Sequence, residues 1–539
     1  MKRIGISRWV LVAGLLMAGS CAQAGQPLPA SPPAPYDAAA AERTIAFAYG
    51  SIVERHLQPV SAASVGLAAM RGLSSLDPSL GVTRLDGRVV LTAAGRTVGE
   101  YPAPAENDVA GWAHLSVVVA EAARGPSPRV AAADVEKIYQ VMFDATLAKL
   151  DRFSRYATAR EAAQHRAARN GFGGIGITFD LHDGHPRVTD VLDGTPAAEA
   201  GIKVGDVLMR VNGESLDGLD KDGVAARLRG PLDSKVDLAL AAAGGRTRQF
   251  SLHRTLIVPQ TVTSALHDGY AEFKITSFNQ RTAANLTSQL QAARRQLGPG
   301  IKGVILDLRG NPGGLLDQAV EVADLFIAHG PIVSTRGRHP LASQSYEARP
   351  GDLGEDLPVV VLVDGRSASA AEIVTGALED SGRAVVVGTN SYGKGTVQTV
   401  LRLPNDGEMT LTWSRFYPPS GYALHHLGVL PTICTANLSA RPDGLIDGVV
   451  HASAPGRLPA ELAQWRAAPF GDAALRNRLR AACPSARHGN NPLDMEVAED
   501  LLANRAVYRR ALALTAPPAA IAAPAAGETA AGLPQQVQH

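Results

Sequence analysis

Cysteine is scarce: the 539 residues hold three, at positions 21, 434 and 483. Charge of one sign is missing as well. Fifty-two Lys+Arg stand against 51 Asp+Glu, a formal net charge of +1. No sustained basic stripe appears, which argues against a nucleic-acid partner. Nor does charge point to a substrate. Long hydrophobic runs are absent, and the N-terminal one, residues 9–17, is too short to cross a bilayer. His425-His426 has no third ligand at useful spacing, so a surface or stacking role fits it better than a metal, and no cofactor is expected. Apolar content of 45% is ample for packed cores, and the length implies several domains.

The N-terminus carries an export signal. Lys2, Arg3 and Arg8 precede the apolar residues 9–17, and Ala22-Gln23-Ala24 is a small-residue cleavage site. Residues 1–24 therefore read as a signal peptide. Ala18-Gly19-Ser20-Cys21 offers a rival route, lipoprotein processing at Cys21, which alone would give membrane anchoring. Either route predicts a periplasmic or exported bacterial protein. With Cys21 removed or lipidated, Cys434 and Cys483 remain as a pair in an oxidising compartment. A disulfide between them competes there with two buried thiols.

In order, residues 25–40 read as a Pro/Ala-rich linker and 41–164 as a helical N-terminal domain, with a small hairpin over 85–103 turning at Asp86-Gly87. Residues 165–255 alternate strands and turns around one short helix. Residues 256–435 alternate β and α, with the sequence strand, Gly-rich loop, helix occurring at 303–327 and again at 359–378. Residues 436–514 read as a C-terminal helical segment, including one helix over 496–514, and 515–539 as a disordered Ala/Pro-rich tail.

The chemistry concentrates at 360–398. The apolar strand Val359–Val363 ends at Asp364-Gly365, and Ser367-Ala368-Ser369-Ala370 opens a helix of small and aliphatic residues. A helix start exposes backbone N–H groups that can stabilise an oxyanion. A second buried strand, 384–387, leads into a Gly-rich turn bearing Lys394, which can act as a base if burial removes its proton. Read singly, a serine at a helix start is usually a cap, a role open to Ser367, and a lone lysine is usually solvated.

Here the chain resembles the carboxyl-terminal processing peptidases, the tail-specific serine proteases. SASAAEI at 367–373 and GKGTVQ at 393–398 are similar to that family's motifs, as is DLRGNPGG at 307–314. The resemblance covers roughly residues 130–435 and departs at Pro431-Thr432, where the family usually has Pro-Asp. It implies Ser369 as nucleophile, Lys394 as base and Gln398 as the residue that orients the lysine, with oxyanion N–H groups from Gly314 and Ala370. The implied fold is an α/β core with a crotonase-like sheet and helices, an inserted PDZ-like domain, and helical N- and C-terminal segments. GIKVGDVLMRVNGESL at 201–216 is the PDZ-like signature. Consecutive N–H groups around Gly174, Ile175, Gly176 and Ile177 suit capture of a peptide carboxylate, the peptide adding as a strand. The expected partners are proteins or peptides with free C-termini, with an adaptor protein as a further candidate.

Rival readings fit less well. Gly171, Gly173 and Gly176 match a dinucleotide fingerprint, but a hairpin pattern follows instead of a helix. Gly388 to Lys394 approaches a P-loop, but Gly395 stands where Ser or Thr should hold magnesium. Residues 365–369, GRSAS, lack the second glycine of a Ser-His-Asp hydrolase elbow. A non-enzymatic PDZ adaptor would be favoured if Ser369 or Lys394 were missing.

Overall fold

The computed structural model describes residues 37–242, 245–354, 357–436, 457–489 and 491–515. The expected signal segment with Cys21, most of the expected linker, and the tail from 516 onward lie outside the described residues. The first helix, Ala38–Arg55, begins inside the expected linker, because the alanine run 38–41 is strongly helix-forming.

The central sheet lies between two layers of helices. Its order is Val262–His267, Tyr270–Ile275, Gly303–Asp307, Val359–Val363, Ala384–Gly388, Ile433–Cys434. All neighbours pair parallel except the first two. A strand buried on both faces is apolar throughout, and Val359–Val363 is buried at every residue. Val359, Val361 and Val363 pack with Ile373 and Leu378 of helix Ala370–Asp380. Val360 and Leu362 pack with Val497, Leu501 and Tyr508 from the C-terminal helices Pro492–Ala503 and Arg505–Thr515. The C-terminal segment thus supplies one of the two layers. Its expected single helix over 496–514 is broken at Asn504, whose side chain accepts from the N–H groups of Ala506 and Val507 and starts a new helix.

A second sheet, Gln344–Ala348, Gly330–Gly337, Glu408–Tyr417 and Thr396–Arg402, packs beside the core. Arg155–Ala157 of the N-terminal region joins its strand Glu408–Tyr417. The expected hairpin over 85–103 is a three-stranded meander, Leu80–Leu85, Arg88–Ala93 and Arg96–Pro102. The strand Leu80–Leu85 lies in the region expected to be a helical domain, ahead of the expected hairpin. Leu80 and Val82 alternate with polar or small neighbours and are buried, and two turns with positive φ, Asp86-Gly87 and Ala94-Gly95, close the meander.

Strands between Ile177 and His253 form the PDZ sheet, with Ile177–His182 at one edge and helix Lys221–Leu228 against its core. Strand Phe172–Gly174 pairs with Thr255–Ile257 at the base of this module. The hairpin after Gly176 rules out the helix that a dinucleotide site needs. Likewise a strand, Thr396–Arg402, follows Lys394, so the P-loop arrangement is not built.

Candidate active site

Ser369 sits where strand Val359–Val363 has turned into helix Ala370–Asp380. Its φ is +56°, a conformation a non-glycine residue adopts at a cost of about 1–2 kcal/mol. Three groups hold it there. Asp364 Oδ1 accepts from the N–H groups of Gly310 and Arg366, both at 2.9 Å, tying the turn to the loop after Gly303–Asp307. Ser367 is fully buried. Its hydroxyl donates to Leu308 O and accepts from Asp364 N, both at 2.9 Å, so it is a strut of the turn and Ser369 takes the cap position instead. Gly313 packs directly under Ser369: a Cβ there would lie 2.8 Å from Ser369 Cβ and 3.0 Å from Ala370 N.

Gly314, at φ +152°, has no room for a side chain, since its Cβ would meet Phe278 O at 2.1 Å. Buried Asn311 shapes this loop by donating to Ile275 O and accepting from Gly313 N–H, both at 2.8 Å. Among the described residues, nothing accepts from the N–H groups of Gly314 and Ala370.

Sequence reasoning missed Glu372, which is fully buried and joins the two halves of the site. Its Oε2 accepts from Ser369 N and Lys394 N, both at 2.8 Å. Its Oε1 accepts from Ser391 Oγ at 2.5 Å and Gly393 N at 2.6 Å. Burial raises the pKa of this carboxyl, and the four donors oppose the rise by favouring the charged form. The motif SASAAEI contained it, but the convergence of residues 369, 391, 393 and 394 on one carboxylate is tertiary.

The lysine side of the site takes its surroundings from the N-terminal region. Lys394 Nζ lies over the ring of Phe153, 5.3 Å from its centroid. Burial brings the pKa of Lys394 down to about 8, helped by Arg155 and opposed by Glu372 and Asp151. The side chains of Ser369 and Lys394 do not hydrogen-bond to each other among the described residues. Gln398 Nε2 donates to Thr396 Oγ1 at 2.9 Å and to Thr412 Oγ1 at 3.3 Å, placing it on the threonines beside the lysine turn. Thr412 Oγ1 in turn donates to Asp151 Oδ1 at 3.0 Å. Burial works to raise the Asp151 pKa, but its hydrogen bonds with His56 and the Ser154 hydroxyl, and then with the N–H groups of Phe153 and Ser154, hold it well below the usual carboxylate range.

His425 packs edge-on to Phe153 and stacks on Phe470, with ring centroids 5.9 and 6.1 Å apart. Burial and the nearby cations push its pKa down to about 3, so it is neutral at physiological pH. In the PDZ module, Gly176 has φ +85°, and a Cβ there would meet the Thr195 side chain at 2.3 Å. Among the described residues nothing accepts from the N–H groups of Ile175 and Gly176. The edge strand Ile177–His182 follows directly.

A sulfur–sulfur bond of 2.08 Å joins Cys434 and Cys483.

The fold and this arrangement define a serine-type peptidase with a PDZ domain. The model of peptidase family S41 matches residues 269–435, and a PDZ domain model matches 187–241. A carboxy-terminal-processing protease of Bartonella bacilliformis is 35% identical over 303 residues, 56% of this chain and 70% of that protein. The carboxyl-terminal-processing protease of Synechocystis is 33% identical over 297 residues, 53% of this chain and 68% of that protein. A photosystem II D1 C-terminal processing protease of solved structure is 29% identical, with a TM-score of 0.32, covering 54% of this chain and 81% of that one. The chain belongs to the carboxy-terminal processing proteases of peptidase family S41.

Proposed function

We propose that Ser369 is the nucleophile and Lys394 the general base of an endopeptidase that cleaves exported proteins near their C-termini. The observation that carries this reading is Glu372, whose single oxygen Oε2 binds the backbone N–H groups of both residues. Neutral Lys394 takes the Ser369 hydroxyl proton as the oxygen attacks the scissile carbonyl. The N–H groups of Gly314 and Ala370 receive the oxyanion. The lysine returns the proton to the leaving amine, and water hydrolyses the acyl-enzyme. Gln398 and Thr412 set the threonine-lined wall beside the lysine, and closure of the Ser369–Lys394 hydrogen bond accompanies substrate binding.

In the same reading the PDZ module, residues 165–255, captures the free C-terminus of the substrate at Gly174, Ile175, Gly176 and Ile177, with the tail added to strand Ile177–His182. The N-terminal domain, the protease core and the C-terminal helical segment occupy 41–164, 256–435 and 436–514. Export through the signal at 1–24 makes the enzyme periplasmic or exported, with membrane anchoring only if Cys21 is lipidated, and the chemistry needs no cofactor. An adaptor protein is a further candidate partner.

The test is hydrolysis of an unstructured protein with an apolar C-terminus. Ser369→Ala and Lys394→Ala are expected to abolish turnover with the fold intact by circular dichroism. Ser367→Ala is expected to keep substantial activity and to lose about 1 kcal/mol of stability with its buried hydrogen bonds. Full activity in Ser369→Ala would overturn the assignment.

A further inference from the structure

Helix Ala473–Ala482 lies outside the residues matched by the family model, yet it reaches the turn that carries Lys394. Leu475 and Leu479 pack against the core. Arg476 and Arg480, four residues apart, project along one side of the helix. Arg476 donates to the carbonyls of Ala423 and His425, and at 3.1 Å to that of Ala468. Arg480 Nη1 donates to Leu427 O at 2.6 Å, and its Nη2 to Ser391 O at 3.3 Å. A Cβ on Gly393 would lie 3.3 Å from the Arg480 Nη1.

These carbonyls belong to the two segments that frame the lysine. Ser391 donates its hydroxyl to Glu372 and receives the Val429 N–H at 2.8 Å. The His426 N–H donates to Gly393 O at 2.9 Å. The turn 391–393 is therefore gripped by Glu372 from one side and by Arg480 from the other. The helix that delivers Arg480 is itself fixed at both ends. Asp472 caps its start by accepting from Leu475 N–H at 2.9 Å. Cys483, at its end, is bonded to Cys434, which pairs with Gly388 at the end of the strand leading into the lysine turn. Among the described residues no carboxylate pairs with Arg480. A half-buried guanidinium whose hydrogen bonds go to backbone carbonyls loses solvation that only the nearby charge of Glu372 opposes. Holding the helix alone would not require one.

We propose that Arg480 is a positioning residue for proteolysis: it fixes the turn 391–393 so that Lys394 is presented to Ser369. The proposal rests on the Ser369–Lys394 reading above.

The test uses the full-length protein with Arg480→Ala and Arg480→Lys, assayed for kcat and KM with and without millimolar guanidinium chloride. Arg480→Ala is expected to lose about 10- to 100-fold in kcat, the scale on which a misplacement of about 1 Å acts, with KM changed less than about twofold. Guanidinium is expected to restore much of that loss in Arg480→Ala and to leave wild type unchanged. Arg480→Lys keeps the charge without the planar fork and is expected to be intermediate, which covers the case in which the alanine variant does not fold. An alanine-variant kcat within about twofold of wild type, or a loss that guanidinium leaves unchanged, overturns the proposal. If only the lysine variant folds, wild-type kcat there overturns it and a lowered kcat at unchanged KM upholds it. Ser369→Ala, run alongside, tests the underlying dyad separately: activity in that variant defeats the dyad whatever Arg480 does.

Discussion

Lys394 must lose its proton to act, and its surroundings are built to take it. Burial is the main cause of its depressed pKa of about 8, with Arg155 adding to it. The general base is the neutral form, so kcat/KM is expected to rise with pH through about 8 and to level above it. Stability follows the same proton. The ordinary value is 10.5, so between about 8 and 10.5 the unfolded chain holds a proton that the folded one has released. Stability from this group therefore rises with pH across that window, and below it the buried cation weighs fully against folding. Lys394→Met should be inactive and more stable than wild type near neutral pH, by about 1 kcal/mol, the scale of relieved active-site strain. The advantage should shrink as pH approaches the ordinary lysine value. Thermal midpoints of both proteins across that range check this, and a constant difference would defeat it.

At the scale of elements, the C-terminal helices complete the core that the site stands on. Reduction of the bridge between Cys434 and Cys483 opens a constraint of 49 residues, which on the chain-entropy account lowers stability by about 4 kcal/mol. A Cys434→Ser, Cys483→Ser double variant is therefore expected to unfold at markedly lower denaturant concentration, while dithiothreitol should no longer shift its midpoint. Equal midpoints for wild type and the double variant would refute this. What was legible beforehand follows the same scale. Strand Val359–Val363 and helix Ala370–Asp380 declared themselves because five apolar residues in a row and a small-residue helix are local patterns. The break at Asn504 and the strand Leu80–Leu85 did not, because a cap and a short alternation are weak signals that tertiary contacts decide. Glu372, Asp151 and Arg480 were out of reach for a stronger reason. Each binds a group distant in sequence, Glu372 the N–H groups of Gly393 and Lys394, Asp151 the Thr412 hydroxyl and Arg480 the Ser391 carbonyl, and no spacing rule joins residue 480 to residue 391.

For the whole molecule, the open issue is how the PDZ module serves the protease core. Helix Ala159–Asn170 connects them. At one end Arg160 and Gln164 donate to Asp222 on the module's helix, at 2.8 and 3.2 Å. Toward the other, Arg166 and Arg169 donate to Glu408, a buried carboxylate in the strand that also carries Thr412. The two attachments differ in strength. An exposed pair such as Arg160–Asp222 is screened by solvent and contributes little, whereas breaking the pairs to buried Glu408 would strand a charge at about 3–5 kcal/mol. The helix is therefore expected to stay with the core while the module moves on its weaker contact, which suits a tether that raises the local concentration of a captured tail. Amidating the substrate's C-terminus removes the charge that the N–H groups of Ile175 and Gly176 would bind, so cleavage of long substrates below saturation should fall. Deleting residues 172–257 leaves the helix and Glu408 in place. A tether then predicts little change on a short peptide and a loss confined to long substrates. Raised activity on the short peptide would instead mean that the module blocks the site at rest, a gate and not a tether. Equal rates for free-acid and amidated tails would defeat both.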